Sequence, residues 1–234
     1  MTTKSPVLPW ILANALGMAL GFLAFMQTLN FMSFGLDFEK HWSDAAIEAW
    51  AAAHPENAER VFLLGLVLGL PLGGTIFASF QAWVLRGSLR RPWLWVSCGA
   101  AGFLVPILVI WPLRAIWGDI PGPVEPFTVA GGGMLGVGIL QWWLLRRQGV
   151  DARRWLALWI VGLPLGMVVF VIVVGAAKLV VGAWPPWPLE IALYGVFIGG
   201  TAAALSGRAL LARIESHRPV AELGSVVDDA RRST

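Results

Sequence analysis

Apolar residues fall in six long runs, separated by short polar or basic breaks. The runs cover 7–34, 61–85, 93–117, 128–145, 155–181 and 189–211. A helix needs about 20 predominantly apolar residues to cross the hydrocarbon core of a bilayer, within a range of about 17–25 for most spans. The pattern therefore predicts an all-α fold, a polytopic membrane helical bundle of six transmembrane helices in one domain over 1–214. The first run follows a single charge, Lys4, and is far longer than the h-region of a cleaved signal, so it is expected to be an uncleaved anchor.

Two polar stretches remain. The segment 35–60 is an acidic loop in which Ser43-Asp44 can start a short amphipathic helix that ends before Pro55. Ile47, Trp50, Ala51 and His54 share one face of it, which suits a membrane surface or a docking partner. The tail 215–234 is polar and mixed in charge and is expected to be disordered and cytoplasmic.

The second and fourth runs end alike. One reads Gln81-Ala82-Trp83-Val84-Leu85-Arg86 and the other Gln141-Trp142-Trp143-Leu144-Leu145-Arg146, with Gly73 and Gly133 at the same offset. A tight basic turn and a Trp follow each, as Arg90-Arg91-Pro92-Trp93 and Arg153-Arg154-Trp155. Trp10, Gly17 and Gly21 share their spacing with Trp155, Gly162 and Gly166; Trp93 and Ala100 match in part, and Leu104 breaks the match. The six spans thus read as three hairpin repeats, the third degenerate, with Arg208 standing where a Gln is expected. This pattern, Gly…Gln-Trp-x-x-Leu-Arg-Arg before a Trp-led, Gly-spaced helix, resembles a group of uncharacterised bacterial multi-hairpin integral membrane proteins over roughly Trp10 to Arg213. The resemblance implies an architecture and no known activity.

A second symmetry competes with the first. Gly69-Leu70-Pro71-Leu72-Gly73 recurs as Gly162-Leu163-Pro164-Leu165-Gly166 in a run of opposite direction. Paired Gly/Pro interruptions near mid-membrane point to a transporter site in an inverted repeat. Against that stands the ordinary frequency of Pro and Gly in membrane helices.

Composition and charge sharpen the picture. The 57% apolar and 13% charged content departs from the roughly 45–50% and 25% of soluble domains. Of the 17 Lys and Arg, only Lys40, Arg60, Arg114 and Lys178 fall on the side opposite the arginine-rich turns, whereas most acids gather there. The positive-inside rule predicts that both termini are cytoplasmic, and the resemblance implies a bacterial plasma membrane. The net charge of +3 is accounted for by topology, so nucleic acid is not an implied partner. The implied partners are the bilayer and a membrane protein or a second copy of the chain.

Chemistry-bearing residues are few. His41, His54 and His217 all lie outside the spans, and Cys98 is alone. No zinc-protease, P-loop or dinucleotide motif occurs, so no cofactor, metal or catalytic residue is assigned. The polar residues at depth are Asn14, Gln27, Asn30, Gln81 and Gln141. Gln81 and Gln141 either bond between helices or line an inner vestibule, together with Pro71 and Pro164 as candidate transport residues. Arg114 and Lys178, at the outer ends of their spans, either snorkel outward or pair to bind an anion. Gly17, Gly21, Gly65, Gly69, Gly73, Gly132, Gly136, Gly162, Gly166, Gly195 and Gly199 form small-xxx-small grooves for helix packing. The Trp residues cluster at two levels and read as aromatic belts, with Trp10, Trp83, Trp93, Trp95, Trp142, Trp143, Trp155 and Trp159 at the inner one. The function expected is a non-catalytic interaction or assembly component; the alternative is a small-solute or ion transporter.

Overall fold

A computed structural model describes residues 7–34, 49, 52–53, 55–89, 91–108, 124–182 and 186–216. Among the described residues six long helices order the chain: α1 Val7–Phe34, α2 Pro55–Leu85, α3 Pro92–Gly102, α4 Val124–Arg147, α5 Arg153–Val181 and α6 Trp187–Ser216. No strand occurs among the described residues. Four stretches among the described residues are long and apolar enough to cross a membrane: Val7–Thr28, Leu63–Leu85, Arg153–Val181 and Pro188–Ile214.

Each helix packs on the next, and α6 returns to pack on α1, so the principal contacts close a ring. The α4–α5 seam is the thinnest part of it. The ring has two ends. At one, α1, α3 and α5 begin while α2, α4 and α6 finish. Arg86, Arg91, Arg146, Arg147, Arg153, Arg154, Arg208 and Arg213 all sit there with exposed side chains. Behind them a core of Trp10, Leu85, Trp95, Leu145, Trp155 and Leu210 is fully closed. The opposite half is filled by Met18, Phe22, Leu70, Phe77, Met134 and Leu163. Large apolar side chains such as Ile172, Leu179 and Val180 stand exposed on the outer surface, which suits hydrocarbon rather than water.

The α4–α5 turn shows why the arginine-rich end is tight. Gly149 has φ 83°, which an L side chain adopts only with strain. Its N–H donates to Arg146 O at 3.0 Å and that of Val150 to Leu145 O at 3.0 Å. This is a Schellman motif, and the apolar contact that accompanies it places buried Val150 beside Leu145.

Several boundaries differ from the apolar runs, among them the start of α4 at Val124 rather than 128. The second helix starts at Pro55 rather than at 61, because proline suits a first helical turn whose N–H groups lack partners anyway. The expected helix over 43–54 lies outside the described residues except for Ala49, Ala52 and Ala53, which are helical and exposed. The third helix is not one span over 93–117. It ends at Gly102, turns at Phe103 and Leu104, and resumes over 105–108. Pro106 explains the break, since it has no N–H and its ring crowds the carbonyl four residues back. Leu104 N donates to Ala101 O and Ile107 N to Leu104 O, both at 3.1 Å, the tighter i→i−3 bonding of a 3₁₀ turn. The last helix runs on to Ser216, two residues into the stretch expected to be tail; the rest of that tail lies outside the described residues.

Candidate functional site

Three of the polar side chains at depth, Asn14, Gln81 and Gln141, meet in one network at the arginine-rich half of the ring. Asn14 stands one helical turn beyond Trp10 on α1, and its Nδ2 donates to Trp10 O at 2.8 Å. Its Oδ1 accepts from Gln81 Nε2 of α2 at 2.7 Å. Gln81 Oε1 then accepts twice, from Trp95 Nε1 of α3 at 2.9 Å and from Gln141 Nε2 of α4 at 2.7 Å. Four consecutive helices are thereby tied at one level. Asn14, Gln81 and Gln141 are all 0% exposed, so they line no open vestibule in this conformation.

Three buried polar atoms of the same core have no hydrogen-bond partner: Trp10 Nε1, Gln141 Oε1 and Trp155 Nε1. The fourth polar side chain of the closed core, Ser206 on α6, bonds back to Ala202 O of its own helix at 2.7 Å. The network stops short of α5 and α6. Amides neither titrate near neutrality nor attack carbonyls, so the arrangement can fix helices in register but offers no acid–base or nucleophilic chemistry. No group of three or more His, Cys, Asp and Glu suited to a metal occurs among the described residues.

The indoles correct the belt assignment. Trp10, Trp95, Trp155 and Trp159 are core side chains, 0% exposed, whereas Trp83 and Trp93 are 62% exposed. Rings stack inward in series, Trp95 to Trp155 at 6.3 Å, Trp155 to Trp159 at 6.1 Å and Trp159 to Phe77 at 6.1 Å. The exposed and half-buried indoles instead carry arginine heads: Arg86 over Trp83, Arg146 over Trp142, and Arg147 over Trp143 at 4.0 Å. In the third helix the buried indole is Trp95, not Trp93. Gly102, seven residues on, meets α4 at Val137, and Gly136 meets Gly102 in turn.

Glycines mark the other close approaches. A Cβ on Gly21 would lie 2.6 Å from Gly73 O, and one on Gly73 2.6 Å from Gly21 O. Gly17 faces Phe77, and Gly69 faces Phe25. On the far side Gly162 abuts Ala202 and Gly166 abuts Ile198, while Gly195 and Gly199 carry α6 against Ala19 and Asn14 of α1. Gly132 touches Pro106, and Gly65 is buried. Gly74 and Gly99, which no small-xxx-small spacing singled out, bring α2 against α3.

The remaining candidates do not converge. Both prolines leave their helices continuous rather than interrupted. Pro164 lines a cavity of about 340 Å³ with Phe22, Met134, Leu163, Met167 and Tyr194, at the thin seam of the ring. Pro71 is not among its lining residues, and α2 and α5 share no principal contact. Lys178 is exposed in the last turn of α5, where Gly182 N–H caps its carbonyl at 2.8 Å. Arg114 lies outside the described residues.

Sequence reasoning missed Trp95 as a partner of the amides. The signal was present: Trp95 follows Gln81 by 14 residues, as Trp155 follows Gln141, although Trp155 Nε1 and Gln141 Oε1 are left without partners. No family model, no curated protein and no solved structure matches the chain.

Proposed function

We propose that the chain is a multi-pass integral membrane protein of a bacterial plasma membrane, with both termini cytoplasmic, acting as a non-catalytic interaction or assembly component of a membrane complex. The observation that carries this reading is the buried amide network. Asn14, Gln81, Trp95 and Gln141, from four helices, bond mainly to one another, and none of the four is ionisable. A working transport or catalytic site at depth needs groups that can exchange partners or protons.

The architecture under this reading is three hairpins around one axis. Its support is positional. Trp10-Gly17, Trp95-Gly102 and Trp155-Gly162 share one spacing, and the glycines pack on Phe77, Val137 and Ala202. Four residues beyond these stand Gln81, Gln141 and Ser206, and four further on Leu85, Leu145 and Leu210, all buried. Ser206 is then the third counterpart of the glutamines. Arg208, the position the sequence pattern assigned, is exposed.

The test is purification in mild detergent with mass spectrometry of what co-migrates. A stoichiometric protein partner is expected. A lone monodisperse chain would overturn the assembly reading. It would favour the second reading, a small-solute or ion transporter, which the cavity beside Pro164 supports. Under that reading Pro164→Ala leaves insertion intact and lowers flux. Orientation has its own check: Ser43→Cys in a Cys98→Ala background should react with an impermeant maleimide added outside intact cells. Reaction only after lysis would reverse the topology.

A further inference from the structure

We propose that the groove between α3 and α4 at the arginine-rich end binds one anionic phospholipid, its phosphate held by Arg91 and Arg147. The groove has a volume of about 580 Å³. Arg91 immediately precedes α3 and Arg147 ends α4, so two arginines line the same end of the groove from neighbouring helices. Neither has a carboxylate partner among the described residues, where the ion pair formed at this end is Arg153 with Asp151. Arg147 is held over the Trp143 ring at 4.0 Å, a cation–π contact that fixes the head at the rim. A guanidinium with free N–H groups matches the paired oxygens of a phosphate.

The shape of the groove selects a lipid over a free anion. Below the rim its walls are mostly apolar, Leu94 and Ala101 from α3 and Leu140 and Leu144 from α4; of the two polar side chains between them, the Ser97 hydroxyl donates to Trp93 O and the Cys98 thiol to Leu140 O. Ala101 lies nine residues beyond Pro92, and Leu140 seven before Arg147. At 1.5 Å per residue the floor descends about 10–14 Å from the charged rim. A free phosphate would occupy the rim and leave that floor uncovered; an acyl chain below a phosphate covers both. Basic pockets between membrane helices bind anionic headgroups in this way. The same arginines lie on the side that the charge asymmetry assigns to the cytoplasm, where the leaflet is anionic.

The test is native mass spectrometry of the full chain in mild detergent, titrated with phosphatidylglycerol or with phosphatidylcholine of the same chains. One retained phosphatidylglycerol per protein is expected, with phosphatidylcholine bound more weakly. R91Q/R147Q should weaken phosphatidylglycerol about thirtyfold, the loss of two phosphate contacts. R153Q/R154Q removes the same charge from exposed positions outside the groove and should leave the affinity unchanged. Equal weakening in both variants would reduce the effect to general attraction and overturn the site. So would equal retention of the two lipids. Displacement of phosphatidylglycerol by millimolar inorganic phosphate would show that the rim takes a free anion instead.

Discussion

The two halves of the ring are held together differently. At the arginine-rich end, side chains interlock through directed bonds: Asn14, Gln81, Trp95 and Gln141 exchange hydrogen bonds among buried indoles. The turns there are short, and the core is closed. At the other end the helices meet mainly through apolar contacts, with one buried hydrogen bond from Trp159 Nε1 of α5 to Met134 O of α4 at 3.3 Å. Gly21 and Gly73 bring α1 and α2 together, but α4 and α5 part around a cavity of about 340 Å³. In hydrocarbon there is little hydrophobic force between helices, so hydrogen bonds and close backbone packing have to supply adhesion. The difference teaches where each source operates. The polar end resists separation of its helices, and the apolar end leaves room to move.

The comparison breaks most readily at Gln81. Gln81→Leu deletes three interhelical bonds and strands Asn14 Oδ1, Trp95 Nε1 and Gln141 Nε2 without partners. At about 1 kcal/mol each, the loss should be about 3 kcal/mol. It should appear as a large fall in the detergent melting temperature, and an unchanged melting temperature would show that the network does not hold this end. Gln141→Leu sharpens the same point. Gln141 makes one side-chain bond and leaves its own Oε1 unpartnered. Its replacement should cost about 1 kcal/mol at most, because removing a stranded buried acceptor offsets part of the lost bond. A cost equal to that of Gln81→Leu would mean that Gln141 Oε1 is bonded after all.

The smallest effect is expected at the opposite end. Leu163→Phe adds volume where the side chain lines the cavity beside Pro164. Overpacking a filled core costs about 1–3 kcal/mol, whereas growth into a void should stay within about 0.5 kcal/mol. The same melting curves measure it. A fall as large as that of Gln81→Leu would mean that the two halves are equally tight.

Particular residues show how much of this could be read in advance. Gln81 and Gln141 stood out because an amide in an apolar run needs a partner, and they do bond each other. The glycine pairs stood out because small residues in membrane helices mark backbone contact, as Gly21 and Gly73 do. The tryptophans misled. Trp10, Trp95, Trp155 and Trp159 share the composition and level of the exposed Trp83 and Trp93, yet they form the core. In a soluble helix polar residues would have marked the outward face. Here both the lipid face and the core face are apolar, so apolarity alone cannot orient a helix.

The amino-acid sequence by itself determined that the chain is helical, where its long apolar segments run, and at which end its arginines gather. Those properties follow from local composition, because a backbone in hydrocarbon must satisfy its own hydrogen bonds along each segment. Only the tertiary structure decided which indoles face inward, that α6 closes on α1, and that Gln81 is the junction of the amide network. It also decided that α4 and α5 part around a cavity. These depend on the rotation of each helix about its axis, which is set by contacts between different helices, 14 to 67 positions apart within the amide network.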